Sequence, residues 1–143
     1  MTINKIQDKI IEEFNLFEDW MDKYNYLIEL GKECPLIDEK DKVENNLIKG
    51  CQSRVWVSAK LNEEGKMIIA ADSDAVITKG IISLLLQVFN SQYPQDVYDA
   101  DLYFIDKIGL TSHLSPTRSN GLLAMVKQIK LYALAFNIKN KES

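Results

Sequence analysis

A short β pattern stands between stretches of helical spacing, and it constrains the fold of this chain more than any other feature. Val55, Val57 and Ala59 alternate with other residues at a period of two, which indicates a half-buried strand. A turn at residues 62–65 precedes another strand at residues 66–71. With residues 46–49 as the first strand, we expect a three-stranded antiparallel meander whose first turn carries Cys51.

Two amphipathic helices are predicted before this sheet. Apolar residues at near-helical spacing mark the first helix from Ile3 to Phe14, and the same spacing resumes after Asn15, a good N-cap for the second. Gly31 suits the C-terminal end of the second helix. The N-terminal part of the chain is therefore expected to be a pair of helices.

Two more helices are predicted after the sheet. Residues 72–74 offer capping side chains for a helix that runs to Val88, and Gly80 inside it suggests a close approach to another element. Ser115 or Thr117 could cap the last helix, with Pro116 in its first turn. The apolar stripe of this last helix is Leu122, Met125, Val126, Ile129, Ala133 and Phe136.

Length and composition bound the class of protein. A chain of 143 residues is the size of one domain, so we expect a single domain over residues 1–143. The net charge of -4 argues against nonspecific nucleic-acid binding. The N-terminus lacks the apolar core of a signal peptide, and no apolar run reaches the roughly 18 residues that span a bilayer. We therefore expect a cytoplasmic protein without membrane insertion.

Cys51 is the residue most suited to chemistry. Cytosolic thiols are kept reduced, which argues against a Cys34–Cys51 disulfide. A zinc or iron–sulfur site needs about four ligands, and Cys34, Cys51 and His113 are too few. Phosphate-loop and dinucleotide glycine patterns are absent, and a lone His113 is more often a surface residue than the base of a Cys–His pair. Two interpretations remain, a buried structural cysteine in a tight turn or a reactive thiol.

Three blocks of sequence are together more distinctive than any one of them. The blocks are Gly50-Cys51-Gln52-Ser53-Arg54-Val55-Trp56, Asp72-Ser73-Asp74-Ala75 with Lys79-Gly80, and Leu114-Ser115-Pro116-Thr117-Arg118-Ser119-Asn120-Gly121-Leu122 with Met125. They resemble the SufE family of cysteine-desulfuration proteins and occur in that family's order, and the likeness covers nearly the whole chain. The resemblance implies an α+β fold like that of IscU-type scaffold proteins, with helices packed on a small antiparallel sheet.

The same resemblance implies a function in iron–sulfur cluster assembly. SufE-like proteins accept persulfide sulfur from SufS, a pyridoxal-phosphate cysteine desulfurase, stimulate that enzyme, and pass the sulfur to the SufBCD scaffold. Cys51 matches the family's acceptor cysteine. The chain would then be an activator and sulfur carrier without a cofactor or metal of its own, and not an enzyme. A related CsdA-type desulfurase is an alternative partner, and the sequence is compatible with a monomer or a homodimer.

Two further residues are candidates for the site. A cation at Arg118 would stabilise a thiolate or persulfide anion, and the alternative is a solvated or structural arginine at a helix start. Asp74 is either a helix cap or a residue that controls the Cys51 turn. A noncatalytic adaptor that only binds a desulfurase remains the rival function, and an iron–sulfur scaffold is disfavoured because the ligands are missing.

Overall fold

Helices α1 to α7 and a two-stranded antiparallel sheet form the described part of the chain. The computed structural model describes residues 2–33, 37, 39–48, 54–114 and 116–142, without the side chains of residues 45, 116–119 and 140–142. The elements are α1 Ile3–Asn15, α2 Trp20–Glu33, β1 Val55–Leu61, β2 Met67–Ser73, α3 Val76–Phe89, α4 Pro94–Asp99, α5 Phe104–Lys107, α6 Leu110–His113 and α7 Pro116–Glu142. This is the α+β class that the sequence predicts.

The two N-terminal helices form as predicted, but the cap between them is a different residue. Thr2 caps α1, its hydroxyl accepting the backbone N–H of Lys5 at 3.2 Å. Asn15 is the last residue of α1 and not the N-cap of α2, so that prediction is wrong. The Asp19 carboxylate instead accepts the N–H of Asp22 at 2.9 Å, just inside α2. Asp and Asn are equally good caps, so local propensity did not separate the two positions.

Helices α2 and α3 approach each other so closely that two glycines face across the contact. Gly31 lies inside α2 and does not end it, which corrects the predicted helix boundary. A Cβ on Gly31 would stand 2.8 Å from the backbone nitrogen of Gly80, and a Cβ on Gly80 would overlap the carbonyl oxygen of Leu27. The predicted close approach at Gly80 is confirmed, and the missing side chain explains the glycine.

Strands β1 and β2 form the predicted hairpin. Their antiparallel register runs from Val55 opposite Ser73 to Leu61 opposite Met67. In the turn, the Asn62 side chain accepts the N–H of Glu64 at 3.0 Å and that of Lys66 at 2.9 Å. The buried face of the sheet is Val55, Val57, Met67, Ile69 and Ala71. Helices α3 and α7 pack on this sheet.

A third strand at residues 46–49 is not found among the described residues. Glu44–Asn46 is a 3-10 turn, in which the Asn46 amide donates to the Asp41 carbonyl at 2.7 Å. Leu47 pairs with Trp56 only as an isolated bridge. Lys49 lies outside the description. The backbone groups of residues 44–46 are engaged in the 3-10 turn and do not pair with β1. Strand pairing at this edge is therefore limited to the bridge between Leu47 and Trp56.

On the opposite edge of the sheet, an asparagine side chain replaces part of a strand. The Asn90 amide accepts the N–H of Ile69 at 2.6 Å and donates to the carbonyl of the same residue at 3.1 Å. Gln92 forms an isolated bridge with Met67. The edge groups of Met67 and Ile69 are therefore satisfied without a continuous third strand.

A buried glutamine organises the segment between α3 and α7. The Gln7 amide donates to the Asp101 carbonyl at 3.0 Å, and its oxygen accepts the N–H of Phe104 at 3.2 Å, where α5 begins. Pro94 stands at the start of α4. The short helices α4, α5 and α6 therefore occupy the segment between α3 and α7.

The predicted stripe on α7 faces the core. Leu122, Met125, Ile129 and Ala133 are buried, and Pro116 opens the helix as expected, whereas Ser115 lies outside the described residues. By length and composition alone, the part from Asn120 to Lys139 could cross a membrane. Core helices of globular proteins meet the same criterion, and in this structure 28% of the tested stretch is buried.

Candidate functional site

The candidate site surrounds residues 49–53, which we call the Cys51 segment. Cys51 itself lies outside the described residues, as do Gly50 and Cys34. The residues on either side are well placed by contacts. The Ile48 N–H donates to the Val55 carbonyl at 2.7 Å, and Leu47 bridges Trp56. The chain therefore leaves the edge of the sheet at Ile48 and rejoins it beside the same point.

Asp74 holds the residue at which the chain rejoins the sheet. Its carboxylate accepts the N–H of Arg54 at 3.1 Å, and its own N–H donates to the Arg54 carbonyl at 3.3 Å. The helix-cap interpretation of Asp74 is wrong, because α3 begins after Ala75 without a side-chain cap. Ser73 makes the nearest equivalent contact, its hydroxyl accepting the Ala75 N–H at 3.1 Å. Asp74 thus lies against the end of the Cys51 segment.

A second acidic residue, Asp72, appears in the sequence only among the capping side chains of residues 72–74 and in a family block. In the structure it is only 5% exposed. One of its carboxylate oxygens lies 3.1 Å from the Lys42 ammonium, and the other lies 3.6 Å from the Lys79 ammonium. We call these three residues the Asp72 cluster. A buried carboxylate is costly unless it is paired, and here two cations from different elements supply the pairing.

Lys42 connects the Asp72 cluster to the sheet and to its own segment. Its ammonium lies 3.1 Å from Glu39 and 5.5 Å from the centre of the Trp56 ring. Hydrogen bonds that the Lys42 ammonium donates to Glu39 and Asp72 raise the pKa of Lys42 above its ordinary value of 10.5. The stability that comes from this raised lysine pKa is therefore not lost by titration of Lys42 below pH 10.5, and it is lost as the pH rises through the elevated pKa.

No local signal could have revealed this cluster. Lys42 precedes Asp72 by 30 positions and Lys79 follows it by seven, so neither spacing is a helical or strand pair. Asp72 lies opposite Trp56 in the hairpin, and Trp56 in turn bridges Leu47. The arrangement depends on the sheet register, which sequence reasoning placed only approximately.

A groove lies between residues 44–48, which lead into the Cys51 segment, and α7. Its volume is about 580 Å³. The lining residues are Glu44, Leu47, Ile48, Ala124, Lys127, Gln128 and Leu131. Leu131 is 47% exposed, which is high for a leucine beside a groove. The sequence contains no acidic residue from 108 to 141, so the helical wall of the groove carries only positive charge.

The other predicted site residues occupy different positions. Arg118 lies in the first turn of α7, and its side chain is outside the described residues. His113 is exposed, and its ring packs on Trp20 with the ring centres 4.1 Å apart. Within the described part of the chain, no group of three His, Cys, Asp or Glu side chains could hold a metal ion.

Comparisons with known proteins identify the family. One solved structure is similar over nearly its full length, the solution structure of a hypothetical protein from Thermus thermophilus. The TM-score is 0.77, the sequences are 20% identical, and the match covers 93% of this chain and 96% of that one. At this identity the likeness shows the fold alone. The family model SufE, described as the Fe-S metabolism associated domain, matches residues 8–133, and the chain therefore belongs to the SufE family of Fe-S metabolism proteins.

Proposed function

We propose that this protein accepts sulfur on Cys51 from the persulfide of a pyridoxal-phosphate cysteine desulfurase, SufS, and delivers it to the SufBCD scaffold for Fe–S cluster assembly. The observation that supports this most is that, in a chain of the SufE family, the residues on both sides of the Cys51 segment are held by hydrogen bonds. The Ile48 N–H donates to the Val55 carbonyl, and the Arg54 N–H donates to the Asp74 carboxylate. The segment therefore begins and ends at one edge of the sheet.

The transfer is a thiol–disulfide type of exchange. The Cys51 thiolate attacks the outer sulfur of the donor persulfide, a new S–S bond forms on Cys51, and the donor S–S bond breaks. The electron pair of the broken bond leaves with the donor cysteine as a thiolate. Cys51 then carries the persulfide, and no external oxidant or reductant is consumed. Attack by a thiolate of the next acceptor repeats the same step.

The fastened ends also suit protection of the product. Covalent geometry places Cys51, three residues from Ile48 and from Arg54, within about 11 Å of each Cα. A persulfide in the cytoplasm would be reduced by free thiols, so a carrier benefits from shielding until the partner docks. We propose that Gly50 gives the segment the freedom to extend. Asp74 would limit that freedom through its bonds to Arg54.

Arg118 is proposed to stabilise the charged sulfur. Its position in the first turn of α7 is compatible with a role near the Cys51 segment, because α7 packs against β1. A guanidinium near sulfur favours the thiolate and the persulfide anion over their protonated forms. Replacing Arg118 with alanine should slow transfer, and lysine should restore part of the rate because the charge is retained. Equal transfer by all three proteins would refute this role.

The groove beside the Cys51 segment is proposed as the docking surface for the desulfurase. Ile48 lines it, so a partner seated there reaches the neighbourhood of Cys51. Its exposed Leu131 and the positively charged wall of α7 are complementary to an apolar partner segment flanked by acidic residues. Leu131→Glu should weaken desulfurase binding. Ile138→Glu is the matched control, since Ile138 is 50% exposed on the same helix and does not line the groove.

The rival function, a noncatalytic adaptor, makes an opposite prediction for the cysteine. A carrier needs the thiol, so Cys51→Ser should still bind the desulfurase but lose stimulation of its turnover and transfer to the scaffold. Cys34→Ser should retain both activities. An adaptor would keep full stimulation with Cys51→Ser, which would refute the carrier proposal. Running the assays with SufS and with a CsdA-type enzyme identifies the cognate desulfurase.

A further inference from the structure

The Asp72 cluster joins the chain that leads into the Cys51 segment to the frame of the molecule. Lys42 belongs to the leading chain, Asp72 to the end of β2, and Lys79 to α3. The backbone of α3 is fixed at this level by the glycine contact with α2, because Gly31 meets both Gly80 and Lys79 there. The cluster therefore links the closely packed pair of α2 and α3 to residues 39–48, a part of the chain with few other described long-range polar contacts.

Ile48 is buried in the core and the turn at residues 44–46 contacts β1, but few other described long-range polar contacts hold the leading chain, residues 39–48. Asn46 bonds to Asp41 inside that chain, which does not fix it to anything else. Leu47 and Ile48 attach its last two residues to β1. Upstream of these, the long-range polar fastening within the described residues is Lys42, through Asp72 and the face of Trp56. Loss of the Asp72 charge would leave Lys42 with Glu39, within its own segment, and with the face of Trp56, so its charged anchor outside that segment would be gone.

We propose that Asp72 is a positioning residue for sulfur transfer, which holds the leading end of the Cys51 segment through Lys42 while Lys79 anchors the carboxylate to α3. Asp72 and Asp74 then divide the task. Asp72 acts on the chain before the segment, and Asp74 bonds to Arg54 directly after it. This inference rests on the proposed sulfur-acceptor function and adds to it a residue that touches neither sulfur nor partner.

The cluster predicts an asymmetry between its two lysines. Lys42 transmits the position of Asp72 to the leading chain, so its removal should disturb the Cys51 segment. Lys79 compensates the buried charge from the α3 side, so its removal should lower the free energy of unfolding and disturb the segment less. A cluster that served stability alone would show no such difference, because both lysines pair with the same carboxylate.

The test compares Asp72→Asn, Lys42→Met and Lys79→Met with the intact chain. Asparagine keeps the size of the side chain and its acceptor for the Ser73 N–H at 2.8 Å, and it removes the charge. Lys66→Met is the control, since Lys66 pairs with the exposed Glu64 elsewhere on the surface. Two rates are measured under conditions where urea denaturation shows every variant to be folded. One is alkylation of Cys51, resolved from Cys34 by peptide mass, and the other is single-turnover sulfur transfer at varied desulfurase concentration.

We expect Asp72→Asn and Lys42→Met each to lower the maximal transfer rate about tenfold, the effect of losing one charge-assisted contact. Cys51 alkylation should change severalfold, and the half-saturating desulfurase concentration should stay the same. The double variant should be no slower than either single variant, because both break one link. Lys79→Met and Lys66→Met should transfer within about twofold of the intact chain.

Two outcomes would overturn the inference. One is that Asp72→Asn lowers stability but leaves both rates unchanged. The other is that the effects of Asp72→Asn and Lys42→Met on transfer multiply, which would mean that they act separately. If the intact chain accepts no sulfur at all, the proposed function fails instead. The alkylation rates then still report whether Asp72 positions the segment.

Discussion

The contact between α2 and α3 and the sheet edge beside the Cys51 segment are held together in opposite ways. At the helix contact, Gly31 and Gly80 bring two backbones together with no room for a side chain. At the sheet edge, Asp72 and Asp74 hold neighbouring chain through ion pairs and hydrogen bonds. Close packing has one arrangement, whereas polar contacts can break and re-form. Under the proposed sulfur-carrier function, this difference would suit a rigid frame that carries a segment able both to shield and to present a sulfur.

The largest expected effect comes from breaking the helix contact. Gly80→Ala places a methyl group against the Leu27 carbonyl. Overpacking of this kind costs typically 1–3 kcal/mol or more, and alanine regains about 1 kcal/mol as the better helix former. Because the methyl group would meet backbone and not a flexible side chain, the net cost should lie at the upper end of this balance, and we expect the free energy of unfolding to fall by about 2 kcal/mol in urea denaturation. Gln87→Ala, at an exposed position of α3, should change it by less than about 0.5 kcal/mol. Equal stability of Gly80→Ala and the intact chain would contradict the close contact.

A polar fastening far from the site should affect stability alone. Asn90→Ala removes both hydrogen bonds to Ile69 at the other edge of the sheet. The expected loss is about 1–2 kcal/mol of unfolding free energy, because each bond contributes roughly 1 kcal/mol. Asn90→Asp retains the acceptor for the Ile69 N–H but loses the donor, so its unfolding free energy should lie between that of the intact chain and that of Asn90→Ala. The alkylation rate of Cys51 should not change. A severalfold increase would contradict the distinction between this edge of the sheet and the edge beside the Cys51 segment.

The corresponding change at the site should have a small effect on stability and a larger one on the Cys51 segment. Asp74→Ala removes the carboxylate bond to Arg54 on the exposed surface, which should cost about 1 kcal/mol or less. We expect severalfold faster alkylation of Cys51, measured by peptide mass. Asp74→Asn keeps an acceptor and should behave more like the intact chain. If alanine leaves the rate unchanged, Asp74 does not restrain the segment.

The smallest effect concerns the helical frame at high pH. Burial, and then the hydrogen bond from the Tyr26 hydroxyl to Glu13 at 3.0 Å, raise the pKa of Tyr26 to about 12. Since the folded chain holds this proton more tightly than the unfolded chain, the associated stability is full below pH 10 and is lost as the pH rises to about 12. Phenolate absorbance should show the late titration.

Two variants check the assignment of that titration. Glu13→Gln should move the Tyr26 titration toward lower pH, because it removes the carboxylate that favours the protonated phenol. Tyr26→Phe should remove this part of the pH dependence and leave sulfur transfer intact, since Tyr26 packs on Phe14 in the frame. A phenol that titrates at its ordinary value would contradict the hydrogen bond.

The features that sequence predicted well depend on local periodicity. The buried stripe of α7, the Val55 to Ala59 alternation and the glycine contact at Gly80 follow from residue spacing or from one unusual residue. The features that it missed depend on distant partners. The Asn90 side chain makes hydrogen bonds to Ile69 that a neighbouring strand would otherwise make, and Asp72 forms an ion pair with Lys42, 30 positions earlier in the chain. Neither is visible until the register of the sheet brings the partners together.

The predicted site shows the same division. Asp74 was recognised as a candidate from its block, but its interpretation as a cap failed because the bonding partner is Arg54, 20 residues away. The roles of Cys51 and Arg118 stay predictions from the resemblance, since the Cys51 residue and the Arg118 side chain lie outside the described structure. What the structure adds is the set of contacts that fixes the chain on both sides of Cys51.

The most direct test of the sulfur-carrier proposal is the mass of the peptide that contains Cys51. The protein is incubated with the desulfurase and cysteine, digested without reductant and compared with the same sample after reduction. We expect a gain of one sulfur atom on Cys51, removed by reductant, and the same gain in Cys34→Ser. An unmodified Cys51 in the presence of an active, bound desulfurase would contradict it.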